Sequence, residues 1–316
     1  MTTTEPLDVV TLGEAMVMLV AGQPGPLEQV EIFHKRTAGA ETNVAIGLAR
    51  LGLHVGWGSR LGQDSLGRYL LDSLRGEGVD CSRVALAPGE RTGLLFKGRV
   101  LDGSDPKVEY HRAGSAASRM RLDDVDLDWL LSARHLHATG VFAAVSADSF
   151  EVSRQTMRLM REAGRTVSFD TNLRPTLWAS TEAMRAGINE LAALADWVLP
   201  GIEEGRLLTG EHEPEAVARF YLGLGARLVV VKLGPDGAYY DDGTRSGHVP
   251  ASPVERVVDT VGAGDGFAVG VISGLLEGLP LERAVARGAW IGARAVQVRG
   301  DTEGLPTRAV LGLAGL

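Results

Sequence analysis

Short apolar runs return along this chain at regular intervals, and a longer amphipathic run fills each gap. A helix-like stretch from Ser149 to Ala163 precedes "TVSFDTN". Thr181 to Leu194 precedes "DWVLPG", and Glu215 to Leu224 precedes "RLVVVKLG". Strand and helix alternating at this spacing predict βαβ units and a mostly parallel sheet. The N-terminal half reads the same way. Val9, Val10 and Leu12, then Met16 to Val20, read as a first strand. "VAIGLARLG" after Asn43 reads as a helix closed by Gly52, and "HVGWGSRLG" as a strand and loop. "DSLGRYLLDSLRGEG" reads as a helix with Asp64 or Ser65 as cap, and "HLHATGVF" as a further strand.

Two segments break the rhythm. Residues 91–112 read as two strands joined by a polar turn at "DGSDP", and in residues 23–38 "VEIFHKRTA" is strand-like. Together they predict a small β appendage on the α/β body. Ligands of open α/β sheets bind at the carboxyl ends of the strands, so the appendage is a candidate lid over that edge.

Composition narrows the partners. The 316 residues are 45% hydrophobic and 23% charged, as in a soluble globular protein. Lys plus Arg number 32 against 40 Asp plus Glu, a formal charge of −8, with no dense basic run, which argues against a nucleic-acid partner. Cys81 is the sole cysteine, so an internal disulfide is excluded and a reducing cytoplasm fits. No basic segment precedes the first apolar stretch, so no signal peptide is expected. The apolar run Gly266 to Leu276 is too short for a membrane span. His135 and His137 share one strand face without a third ligand nearby and read as packing residues. The acidic stretch 122–130 reads as a solvated loop and helix start.

Chemistry concentrates in "DTVGAGDGF", residues 259–267. A helix start leaves N–H groups without partners and carries partial positive charge. At Gly262, Ala263 and Gly264 almost no side chain keeps an anion away. Asp265 would repel that anion unless it accepts a proton from an attacking hydroxyl, which is what phosphoryl transfer requires. An ordinary aspartate pKa near 4 suffices if the transition state is loose. The same residues also fit a plain helix start with Asp265 as a first-turn acid. Glycines at 262, 266, 270, 274 and 278 fall on one helical face and predict close approach to a neighbour.

"DTVGAGDGFAVGVI" resembles the C-terminal signature of the ribokinase-like (PfkB) carbohydrate kinases. "AGAETNVAIGLARLG", "GSRLGQDSLG" and "VVVKLGPDGAYY" resemble other family segments in family order, so the likeness spans the chain. It implies one ribokinase-like kinase domain over 1–316: a three-layer α/β/α body with a β-sheet lid formed by about 23–38 and 91–112. It implies Asp265 as general base, the amides of Gly262, Ala263 and Gly264 as anion hole, and ATP with Mg²⁺ as cofactors. Lys232, Gly234 and Gly237 would lie on the nucleotide side, and Glu204 would keep a magnesium-linked acidic position. In some members the region of Asp259 helps hold a monovalent cation such as K⁺.

Asp170, Asn172 and Arg174 follow a strand in "FDTNLRPTLW" and should reach the ligand edge, where Arg174 offers a fork of donors suited to a carboxylate. Arg112 is a second cation placed to reach the same pocket. The two segments resemble the 2-keto-3-deoxygluconate kinase branch. That implies Gly39, Asn43, Tyr110, Arg112, Arg174 and Asp301 around a sugar acid. Departures from the pattern are Glu41, Leu95, His111, Gly201 and Ala289. A fructokinase, another sugar or nucleoside kinase, and a catalytically weak sugar or nucleotide sensor stay open as alternatives. A homodimer through the exposed strand edges of the lid is also expected.

Overall fold

The strands Val9–Leu12, His135–Thr139, Thr166–Asp170 and Leu228–Lys232 are buried almost throughout, so the sheet they form is covered on both faces. The computed structural model describes residues 6–100 and 106–316. Its thirteen strands are β1 (Val9–Leu12), β2 (Met16–Ala21), β3 (Phe33–Ala38), β4 (Val55–Gly62), β5 (Val84–Ala87), β6 (Gly93–Lys97), β7 (Val108–His111), β8 (His135–Thr139), β9 (Thr166–Asp170), β10 (Trp197–Val198), β11 (Leu228–Lys232), β12 (Ala238–Asp241) and β13 (Ser246–Val249). Nine form one sheet in the order β13-β12-β11-β10-β9-β8-β1-β4-β5. The seven from β11 to β5 run parallel, and β12 and β13 add an antiparallel edge.

Alternate side chains feed opposite cores, as a doubly covered parallel sheet demands. Val9, Leu228 and Val230 enter one apolar cluster, while Val10, Val229 and Val231 enter the other. The first core also takes the helix Ala263–Leu276, which packs on the helix Leu281–Ala295. Their approach explains the inner glycines of the stripe, where a Cβ on Gly270 would lie 2.5 Å from the Gly288 backbone and one on Gly274 2.8 Å from Ala284; Gly278 lies past the helix end with nothing within 4 Å.

A second sheet has the order β3-β2-β6-β7. The apolar N-terminal stretch is therefore two strands in two sheets, broken at Gly13-Glu14-Ala15, and not one. Most of the turn expected at "DGSDP" lies outside the described residues. Helix ends move by a few residues: the first helix is Ala40–Arg50, so Asn43 lies inside it. Asp64 caps the helix Ser65–Gly76 through Gly67 N–H. "GVF" after β8 is helical. His135 and His137 both meet the Ser168 hydroxyl in the core, at 2.8 and 2.9 Å, and burial pushes His137 down to about 3.

Candidate active site

The carboxyl ends of β8, β9 and β11 and the inner face of the small sheet enclose a cavity of about 520 Å³. Met16, Met18 and Leu95 supply its apolar wall. Asp170, Asn172 and Lys232 come from the sheet ends, Asn43 from the first helix, and Asp265 from the helix Ala263–Leu276. A second cavity, about 730 Å³ and mainly apolar, is lined by Gly234, Gly237, Val257, Phe267 and Ala289 among others. The cavities share Lys232, Thr260 and Gly264, so they meet at one helix start.

That start is built from the glycine turn. Gly262 caps the helix in the left-handed region, φ +83°, and a Cβ there would lie 2.6 Å from the Asp301 carbonyl oxygen. The first regular intrahelical bond is Gly266 N–H to the Gly262 carbonyl, 2.8 Å; before it, Ala263 N–H reaches the Thr260 carbonyl at a long 3.4 Å. Gly264 faces open space toward Lys232, whose Nζ would be 3.6 Å from an added Cβ.

Asp265 is the third residue of this helix and is buried. Asn43 Nδ2 donates to its Oδ2 at 2.7 Å and Asn172 Nδ2 to its Oδ1 at 3.3 Å. Asn172 holds a positive φ of 33°, a backbone conformation that asparagine tolerates better than other residues with a side chain. Burial pushes the Asp265 carboxyl up to about 7, helped by the charges of Asp170 and Asp301 and opposed by Asn43 and Lys232. Exclusion from water, which the sequence does not display, is what lifts it above the ordinary aspartate value near 4. Lys232 donates to both Asp170 oxygens, at 2.8 and 2.6 Å. Burial opposes its charge, but Asp170 and Glu204 raise its pKa and keep it an ammonium.

The two arginines differ. Arg112 is buried, and its Nε donates to Glu14 Oε2 at 2.7 Å, with a second contact from Nη2. Ser115 donates to the other Glu14 oxygen at 2.6 Å. Arg174 is exposed and donates to its neighbour's carbonyl, Leu173 O, at 2.8 Å. No carboxylate among the described residues pairs with it. Gly39 and Tyr110 also line the first cavity, with Tyr110 half exposed. Asp301 lines it too and is pushed up to about 6, chiefly by burial. Leu95 lies in the apolar wall. His111 is not among the lining residues; its ring packs on Phe96, 5.6 Å away.

Glu204 is engaged within the protein. Oε1 accepts from Leu173 N–H at 2.6 Å, and Oε2 accepts from Gly201 N–H at 2.8 Å and the Thr171 hydroxyl at 2.7 Å. Among the described residues no group of three or more His, Cys, Asp or Glu is placed to hold a metal ion. Magnesium commonly sits on substrate phosphates and water beside one or two carboxylates, an arrangement that needs no such group.

Two charged residues lining this site escaped the sequence reading, Glu14 and Lys97; Glu41, set apart as a departure from the family pattern, is not among the lining residues. Glu41 is fully buried, accepts from the Thr139 hydroxyl at 2.5 Å, and is pushed up to about 7 by burial. For Lys97 a signal existed: it stands at an inward position of β6, two residues after Leu95.

A doubly covered parallel sheet with a four-stranded sheet at its carboxyl edge is the ribokinase-like α/β fold. The chain belongs to the pfkB family of carbohydrate kinases, whose pattern matches residues 6–308, and it is a kinase. It is 52% identical over 303 residues to a 2-dehydro-3-deoxygluconokinase of Bacillus subtilis (strain 168), covering 96% of this chain and 93% of that one. The crystal structure of a PfkB protein from Polaromonas sp. JS666 matches with a TM-score of 0.91 and 66% identity, covering 97% and 99% of the two chains. A putative ribokinase II from E. coli in complex with ATP and Mg²⁺ matches with a TM-score of 0.90 and 28% identity, covering 97% and 98%. No helix among the described residues is long and apolar enough to cross a membrane.

Proposed function

We propose that this kinase transfers the γ-phosphoryl group of ATP to the 6-hydroxyl of 2-keto-3-deoxygluconate, the compound also called 2-dehydro-3-deoxygluconate. The observation that carries this reading is Asp265: a buried carboxylate, oriented by two amides, at the helix start where the two cavities meet. The sugar acid lies in the first cavity under the small sheet, which acts as a lid within a single kinase unit and excludes water. ATP lies in the second cavity, its base against the apolar wall and its phosphates toward Lys232, Gly234, Gly237 and the turn. Asp265 accepts the hydroxyl proton as the phosphoryl group moves. The Gly262, Ala263 and Gly264 amides and Lys232 spread the developing charge. Glu204 is the acidic residue that would stand toward a magnesium ion bound with the nucleotide, which would supply neutralisation of phosphate charge. The similarity to a 2-dehydro-3-deoxygluconokinase supports this choice of substrate.

Arg174 is the carboxylate anchor in this reading, because its fork has no internal carboxylate. The Glu14–Arg112 pair favours a second reading, a neutral sugar such as fructose, since it neutralises one of the two cations. A coupled ADP-release assay over sugar acids, neutral sugars and nucleosides decides. For a sugar-acid kinase, Arg174→Ala raises KM by about 10- to 100-fold, the loss of a charged hydrogen bond of 1.5–3 kcal/mol, and leaves the melting temperature unchanged. A wild type that prefers a neutral sugar, or an Arg174→Ala variant with unchanged KM, contradicts the assignment. Absent turnover with ligand-induced stabilisation points to a sensor.

A further inference from the structure

Lys97 is a buried cation that the mechanism above does not use. It ends β6, and its side chain is 4% exposed. Nζ lies 2.6 Å from Asp259 Oδ2 and 3.8 Å from Asp301 Oδ1. The ammonium comes from the small sheet; both carboxylates come from loops beside the helix that carries Asp265. Asp259 uses its other oxygen, Oδ1, to accept from Val261 N–H at 3.2 Å, inside the turn that leads into Gly262. Asp301 backs the same turn from behind through its carbonyl at Gly262. One ammonium therefore joins the small sheet to both segments that shape Gly262–Gly264. Without it, two buried carboxylates would face each other uncompensated.

The monovalent cation expected near Asp259 does not fit this arrangement. One carboxylate oxygen of Asp259 is held by Lys97 and the other by a main-chain amide, and a second cation beside the ammonium would be repelled. We propose that Lys97 is a positioning residue, an internal cation that fixes the glycine turn to the small sheet and makes a bound monovalent cation at Asp259 unnecessary. Its catalytic consequence rests on the kinase reading; its structural consequence does not.

Lys97→Ala tests this by opening an ammonium-sized space between the carboxylates. Melting temperature and kcat are measured in ammonium chloride and, at equal ionic strength, in tetramethylammonium chloride, whose cation is too large to enter. In Lys97→Ala, kcat falls about 10- to 100-fold, as expected of a displaced catalytic frame. Ammonium restores part of the loss and raises the melting temperature by several degrees, whereas tetramethylammonium does neither. Wild type and Lys97→Arg respond equally to the two salts. A Lys97→Ala variant that responds equally to both salts overturns the proposal, as does an ammonium response in wild type. Should the variant not fold in buffer, folding in ammonium but not in tetramethylammonium supports the proposal, and failure in both overturns it. A wild type without turnover would sink the kinase reading while leaving the melting comparison intact.

Discussion

A carboxyl that must take a proton is most useful when its pKa lies near the working pH. In Asp265 burial, together with the charges of Asp170 and Asp301, brings this about. For the kinase reading, kcat/KM should rise with pH through about 7 and then level, because only the ionised form accepts a proton. Asp301→Asn removes a like charge and should move that limb to lower pH. A limb near 4 in the wild type, or no movement in Asp301→Asn, would count against Asp265 as the titrating base. Stability runs the other way. A folded-state value raised from 3.8 to about 7 contributes stability present below the lower value and lost as pH rises through the higher one. Asp265 and its glycine turn were legible in the sequence because their chemistry is local. The Glu14–Arg112 pair was not, since 98 residues separate partners that only the register of the small sheet brings together.

The small sheet is the element on which the site's shape depends. The chain leaves the large sheet after Gly13, and β2 then pairs with β3 and β6 and turns Met16 and Met18 toward the cavity. Its two ends, β3 and β7, are edge strands. Edge strands with exposed apolar residues template pairing with another chain, and Ile32 and Tyr110 are 62% and 50% exposed here. We predict a homodimer through segments 23–38 and 91–112, with a light-scattering mass twice the 33.5 kDa of one chain; a mass of one chain would contradict it. Alternation of strand and helix made the parallel body readable, because period two and period 3.6 differ strongly over such runs. The antiparallel β12–β13 edge carries a signal of its own, since "DDG" at 241–243 is a hairpin turn sequence. The break between β1 and β2 gives a weaker signal, Gly13-Glu14 between two apolar runs, which reads equally as a single interrupted strand until the second sheet claims the later half.

At the scale of the whole molecule, two cavities of different character converge on one helix start. One is mixed in polarity and walled by the small sheet; the other is mostly apolar and bordered by Gly234 and Gly237. In the proposed reaction the phosphoryl group passes between Lys232, the glycine amides and Asp265, at the helix start the two cavities share. The central claim is that Asp265 is the base at this junction. Asp265→Asn keeps the shape and the partner at Asn172 or Asn43 while removing the proton acceptor. Its turnover in the ADP-release assay, with wild type alongside and melting temperature as a folding control, is the direct measurement. The account predicts kcat lowered by about 10²- to 10⁴-fold, the usual range for a general base, with the fold intact. Turnover near that of the wild type would contradict it.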